Sequence, residues 1–187
     1  MQPGVVELLG DLKRGLGSLG VRWYVFGAQA VIAYGVPRMS DDVDVTVEML
    51  ERPTSELVQA LTASGFRILI DDAPESFVQS TRVLPMTHGR SGIDLDVVLA
   101  GPGPEEGMLD RCRTLKLGRI TVPVITVDDL LVLKTLAGRG KDLDDVAGVL
   151  RVRSAGRQSG GETREPRDFG RARRDRGGRV SRETPTR

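Results

Sequence analysis

Residues 38–48 read RMSDDVDVTVE. From Asp42 the run alternates strictly, with Val43, Val45 and Val47 on one side of a strand and Asp42, Asp44 and Thr46 on the other. The valines predict a buried face, so this stretch is a strand of the core. The opposite face is anomalous for a core strand. Two ionised carboxylates at this spacing repel each other and lose hydration, which raises pKa and costs stability unless a cation compensates.

Hard divalent ions such as Mg²⁺ or Mn²⁺ take oxygen ligands, and one or two carboxylates plus substrate phosphates commonly hold them. A third aspartate from a neighbouring strand would allow two ions roughly 3.5–4 Å apart, the spacing that clamps attacking and leaving oxygens in phosphoryl chemistry. A plainer reading has Asp41 and Asp42 capping a turn and Asp44 on an exposed sheet face.

Working outward, VVELLGDLKRGLGSLG places Val5, Leu8, Leu9, Leu12, Leu16 and Leu19 on one helical stripe, and VRWYVFG follows as an apolar strand ending at Gly27. AQAVIAYG reads as a short helix closed by Gly35 and Pro37. A glycine between strand and helix presents backbone N–H groups where phosphate oxygens can sit. TSELVQALTASG predicts a helix with Thr54 or Ser55 as N-cap; FRILI, RVLPMTH and GIDLDVVLA predict strands. The last repeats the device at Asp42, because Asp94 and Asp96 project together from an apolar strand. PEEGMLDRC predicts a short helix, RTLKL and RITVPVI a hairpin around Gly118, TVDDLLVLKTLAG a helix capped by Thr126, and KDLDDVAGVL a last helix. The sum is a mixed α/β (α+β) domain, a small and partly antiparallel sheet flanked by helices.

Composition bounds the chemistry. With 187 residues and 39% hydrophobic content the chain can bury one proper core. No apolar run reaches the roughly 18 residues of a membrane helix, and MQPGVVELLGDLKRG lacks a signal peptide's apolar stretch, so a soluble, cytoplasmic protein without membrane contact is expected. A single cysteine, Cys112, and a single histidine, His88, exclude a disulfide framework and the usual zinc schemes, leaving carboxylates to hold any metal. Of 27 basic and 26 acidic residues, 11 arginines and 5 acids follow Arg151, which leaves 16 and 21 before it. An acidic body thus carries a basic tail. Phe169, Val152 and Val180 are the tail's only aromatic or branched apolar residues, too few to offset ordering entropy. The expected division is a folded domain at 1–151 and a disordered Arg-rich tail at 152–187.

The order Gly27-Ala28, Ser40, Asp42-x-Asp44 and then a strand-borne Asp96 resembles the polymerase-β-like nucleotidyltransferase superfamily. YVFGAQAVIAYGVPRMSDDVDVTV and LVLKTLAGRGKDLDDV look like the minimal nucleotidyltransferases related to AbiEii-type toxins of abortive-infection and toxin–antitoxin systems. The resemblance runs from about Trp23 to Leu150. It implies Mg²⁺- or Mn²⁺-dependent transfer of a nucleoside monophosphate from an NTP to a hydroxyl of RNA, particularly a tRNA 3′ end, or of protein, with a cognate toxin or antitoxin as a possible partner.

Residue by residue, the resemblance implies Asp42, Asp44 and Asp96 as metal ligands, Asp96 also accepting the acceptor's proton, with Asp94 as the rival third carboxylate. It implies Gly27 and Ala28 beside the triphosphate, Ser40 donating to a phosphate oxygen, Lys134 meeting the triphosphate as a point charge, and Asp145 as a further functional acid. Asp142 and Asp145 also fit a solvated helix face, and Arg38 fits either phosphate or a pairing with Asp41 or Asp42. The chain departs from the family pattern in having Ala28 where serine or glycine is usual, and in its Arg-rich tail where further helices are usual. The alternative function is a catalytically degenerate module of the same fold that binds a nucleotide or a partner. Of the remaining conspicuous residues, His88 is expected to decorate a turn, Cys112 to be partly buried, and Trp23 and Tyr24 to be core or strand-edge groups.

Overall fold

The computed structural model describes residues 2–70 and 74–158. In chain order its elements are α1 (Pro3–Leu19), β1 (Trp23–Phe26), α2 (Gly27–Ala33), β2 (Asp42–Val47), α3 (Thr54–Ala63), β3 (Phe66–Ile68), α4 (Pro74–Thr81), β4 (Val83–His88), β5 (Asp94–Leu99), α5 (Pro104–Arg111), β6 (Arg113–Leu117), β7 (Ile120–Val124), α6 (Val127–Ala137) and α7 (Gly140–Gln158). The strands form one mixed sheet in the order β3-β4-β5-β2-β1-β7-β6. β2 runs parallel to β5 and antiparallel to β1, and β1 runs parallel to β7. The mixed α/β class read from the sequence is the class observed.

Alternation along the strands sorts the core from the site. Val43, Val45 and Val47 of β2 and Leu95 and Val97 of β5 are wholly buried. They join the stripe of α1, where Val5, Leu8, Leu9, Leu12 and Leu16 are equally buried and α1 packs on α3 and β7. Each such side chain stabilises the fold by about 1.5–3 kcal/mol. Tyr24 and Trp23 are core residues, as expected. On the far side of the sheet α6 packs against both α2 and α7.

Several local expectations change. Pro74–Thr81 forms a helix that the sequence pattern does not announce, since PESFVQST holds only Phe77 and Val78 as large apolar residues. The N-cap position of α3 is Pro53, and neither Thr54 nor Ser55 caps it. At α6 the Thr126 hydroxyl does accept from the Asp129 amide. α7 continues through Gln158, past Arg151; the expected disorder of residues 159–187 lies outside the described residues. Among those residues no helix is long and apolar enough to cross a membrane.

His88 is no turn decoration. It is fully buried at the end of β4, packed against Phe66 at 5.0 Å between ring centroids. Its Nδ1 lies 2.8 Å from Ser91 Oγ and its Nε2 3.1 Å from Asp11 Oδ2. Asp11, buried in α1, also binds Arg14 and Arg90. Burial alone would push the Asp11 carboxyl up, but hydrogen bonds from Arg90 and His88 and the charges of Arg90 and Arg14 hold it below its ordinary value. This hub ties α1 to the β4–β5 turn. Asp11→Ala leaves the buried His88 Nε2 without its partner, while the exposed Arg90 keeps Glu7, and is expected to lower the free energy of unfolding by about 1–3 kcal/mol. Urea denaturation checks this, an unchanged stability showing that the hub holds nothing together.

A carboxylate cleft beside a cationic turn

The parallel register of β2 with β5 places Asp42 opposite Asp94 and Asp44 opposite Asp96, so all four carboxylates leave the same sheet face. Asp42 and Asp94, nearer the strand starts, are exposed, while Asp44 and Asp96 are half-buried. Asp42, Asp44 and Asp96 line a cleft of about 200 Å³ together with Gly27, Ala28, Arg38, Lys134, Arg139, Lys141 and Asp142. Asp94 does not line it although its register partner Asp42 does, so Asp96 and not Asp94 is the β5 carboxylate that faces the cleft. Phe26, Leu130, Leu133 and Ala137 supply the apolar part of the wall. A larger cavity, about 580 Å³, lies between α3 and α4, but its lining is mainly apolar and Glu75 is its only ionisable group among the described residues.

Asp44 is the most perturbed of the carboxylates. Burial first, then the charges of Asp42 and Asp96, push it up to about 6, against the opposing charge of Lys134 and a hydrogen bond from the Ala28 backbone. Asp96 is raised by burial and by the charges of Asp42 and Asp94. Gly27 explains how a carboxylate comes so close to the chain. Its φ is +61°, and a Cβ there would stand 1.8 Å from Asp44 Oδ2. Any side chain would expel the carboxylate or break the start of α2.

The opposing wall belongs to α6 and α7. Lys134 Nζ, almost fully buried, bridges Asp142 Oδ1 at 2.8 Å and Asp145 Oδ2 at 2.9 Å. Arg139 Nε binds Asp142 Oδ2 at 2.5 Å, and Arg38 Nη1 binds Asp145 Oδ2. Hydrogen bonding from Arg139, against burial and with help from Lys134, brings Asp142 down to about 2. Asp142 and Asp145 are therefore buried anchors, not a solvated helix face.

The expected site residues converge, with particular partners. Asp42, Asp44, Asp96, Gly27, Ala28, Arg38 and Lys134 share the cleft. Asp145 reaches it through Lys134 and Arg38, and Arg38 pairs with Asp145 in place of Asp41 or Asp42. Ser40 Oγ donates to Asp42 Oδ1 at 2.6 Å, and the Ala28 amide to Asp44, so both donors expected for phosphate hold carboxylates. Arg139 was not singled out from the sequence, although the cation density of LKTLAGRGK was visible there.

The donor set is all oxygen, hard and short of positive charge, and the glycine cradle seats one carboxylate against the backbone, which together fit a divalent ion. Among the described residues no three His, Cys, Asp or Glu side chains already form a ligating group, as expected for like charges that Ser40 and Ala28 hold individually.

No known sequence family matches the chain, and no curated protein matches it significantly. Its structure is similar to that of the antibiotic-resistance factor ANT(2″)-Ia, with TM-score 0.57 and 15% identity over 85% of this chain and 94% of that one. It is similar to the lincosamide antibiotic adenylyltransferase LnuA with lincomycin bound, with TM-score 0.56 and 15% identity over 81% and 98%. It is also similar to an antigenic nucleotidyltransferase-like protein from Paracoccidioides brasiliensis, with TM-score 0.55 and 21% identity over 79% and 74%. The fold is thus nucleotidyltransferase-like.

Two stability predictions follow from the charges. Because the folded-state value of Asp44 lies above the ordinary 3.8, the folded chain binds its proton more tightly than the unfolded chain, and the cost of ionising it develops as pH rises from about 4 to 6. In EDTA, Asp44→Asn is expected to raise stability at pH 7.5 by about 1–3 kcal/mol. The gain shrinks on acidification to pH 4.5, as thermal denaturation at the two pH values would show. Lys134→Met leaves Asp142 and Asp145 short of a buried cation and is expected to destabilise by about 3 kcal/mol, against under about 0.5 kcal/mol for Lys141→Met. Equal melting temperatures for the two variants would contradict the anchoring role.

Proposed function

We propose that this chain is a nucleotidyltransferase of the polymerase-β-like superfamily, of the branch related to AbiEii-type toxins, moving a nucleoside monophosphate from an NTP to an acceptor hydroxyl. The observation that carries the reading is the convergence of Asp42, Asp44 and Asp96 on one sheet face, opposite a cationic helix turn across a small cleft. The nucleotidyltransferase-like fold supports it.

In the reaction the acceptor oxygen attacks the α-phosphorus and forms the new P–O bond. The bond from that phosphorus to the oxygen bridging to the β-phosphate breaks, and pyrophosphate leaves with the electron pair. Asp96, raised by burial and by its acidic neighbours, is suited to take the hydroxyl proton. Asp42, Asp44 and Asp96 would hold the divalent ions. When bound, Mg²⁺ or Mn²⁺ supplies charge neutralisation on the phosphates and polarisation of the attacking and leaving oxygens. The protein's own work is positioning. Gly27 lets a carboxylate and a ligand approach the backbone, Ser40 orients Asp42, and Lys134 with Arg38 fixes α7 through Asp145 beside the cleft.

For the acceptor, the resemblance to AbiEii-related proteins favours an RNA or protein hydroxyl, with a cognate toxin or antitoxin as regulator. The similarity to an adenylyltransferase of lincosamide antibiotics adds a small-molecule hydroxyl to what must be tested. The folded unit is proposed to end with α7 and the basic residues beyond it to lie outside the catalytic domain. A second reading, a non-catalytic binding module, draws on one observation: the Ala28 amide and the Ser40 hydroxyl are both engaged by carboxylates.

Turnover separates the two. Purified chain incubated with each α-labelled NTP, Mg²⁺ and, separately, total RNA, protein extract or aminoglycoside and lincosamide acceptors is expected to transfer label to one class. The Asp42→Asn/Asp44→Asn protein is expected to lose at least about a thousandfold of this rate. Transfer by neither protein, both being folded, would leave the binding module.

A further inference from the structure

If the cleft binds a nucleotide as proposed above, its polyphosphate needs cations, and the structure distributes them unevenly. Lys134 is the least available. Its ammonium is almost fully buried between two carboxylates at 2.8 and 2.9 Å, and turning to a phosphate would break two buried ion pairs. Arg38 is likewise committed, its guanidinium bound to Asp145 and only one-fifth exposed. Two cations remain at the turn joining α6 to α7. Lys141 is exposed, lines the cleft, and makes no ion pair or side-chain hydrogen bond among the described residues. Arg139 holds Asp142 through Nε at 2.5 Å and Nη2 at 3.4 Å, yet its side chain is 63% exposed and also lines the cleft.

The position of Lys141 is not explained by the stability of its helix. It stands in the first turn of α7, a 19-residue helix whose positive end disfavours a lysine. Asp142, the acid beside it in that turn, is already held by Lys134 and Arg139, and no ion pair joins Lys141 to the exposed Asp144 three residues on. The first turn therefore presents an ammonium that makes no ion pair among the described residues, beside a positive helix end and facing a cleft whose opposite wall carries Asp42, Asp44 and Asp96. An anion that also carries divalent cations complements both walls at once, and a metal-bound polyphosphate has that chemistry.

We propose that Lys141, assisted by Arg139, is the polyphosphate-binding residue of this cleft and sets its preference for nucleoside triphosphates over monophosphates, while Lys134 serves as the buried anchor of the α6–α7 pair. Lys141 bears on the non-transferred phosphates and draws on charge alone, so arginine at the position retains function. The anchoring by Lys134 keeps the turn at the cleft, and Arg139 is steadied there through the Asp142 carboxylate they share.

The test measures binding, not turnover. The full chain is titrated calorimetrically, in Mg²⁺, with each α,β-methylene NTP analogue and each NMP. The wild-type chain is expected to bind at least one NTP analogue more tightly than the matching NMP. Lys141→Ala is expected to weaken the analogue about tenfold and the NMP less than about twofold, with Lys141→Arg restoring most of the loss. Lys116→Ala, which removes the same charge from the exposed strand β6, is expected to change neither. Wild-type binding with Lys141→Ala unaffected, or an equal loss in Lys116→Ala, overturns this inference and leaves the nucleotide site standing. A wild-type chain that binds no analogue overturns the nucleotide reading and this inference with it.

Discussion

Repulsion among aspartates fixed in adjacent, parallel strands is the constraint on which the rest of the site depends. The register that buries Val43, Val45, Leu95 and Val97 on one face necessarily aligns Asp42, Asp44, Asp94 and Asp96 on the other. The hydrophobic core cannot form in this register without assembling the carboxylates, because a shift by one residue would exchange the two faces. The cost is visible at Asp44, which burial and its neighbours push to about 6. Ionisable groups at a position that penalises ionisation, gathered in a cleft, are the reason the cleft is proposed as the functional site.

The structure answers that charge at a distance. Instead of neutralising Asp42, Asp44 and Asp96 by direct ion pairs, it builds a separate network in which Lys134, Arg38 and Arg139 satisfy Asp142 and Asp145. Lys134 lowers Asp44 through its field without contacting it in an ion pair. The carboxylates stay available to a ligand that brings its own positive charge, and the helix turn stays available to one that brings negative charge. Gly27 completes the arrangement by removing the one side chain that would have blocked Asp44.

Much of this was legible in the sequence, for a physical reason. Strict alternation at 42–47 and again at 94–99 reports which side chains share a face, so the carboxylate surface and the mixed α/β class follow from local pattern. Gly27 between a strand and a helix is equally local. What failed to show were properties of pairing. Asp94 and Asp96 are equivalent in the sequence, and only the packing of α6 and α7 over the sheet leaves Asp96 lining the cleft and Asp94 outside it. The partners of Lys134, Arg38 and Ser40 follow from packing, whereas the sequence pattern pointed Lys134 and Ser40 to phosphate and left Arg38 between phosphate and Asp41 or Asp42. The bond between His88 and Asp11 joins residues 77 positions apart, beyond any local signal. Helix α4 was missed because its segment has too few apolar residues to display a period, and the extension of α7 because the residues after Arg151 are polar.

The central claim is that the three aspartates of β2 and β5 form a divalent-cation site completed by a nucleotide. Its most direct test is Mn²⁺ binding followed by electron paramagnetic resonance, with and without a non-hydrolysable NTP, in the wild-type chain and in Asp44→Asn. The account predicts that the wild-type chain depletes free Mn²⁺, more strongly when nucleotide is present, and that Asp44→Asn abolishes the nucleotide-dependent part. Identical Mn²⁺ binding by the two proteins would contradict it, because the carboxylate cradled by Gly27 would then be no ligand.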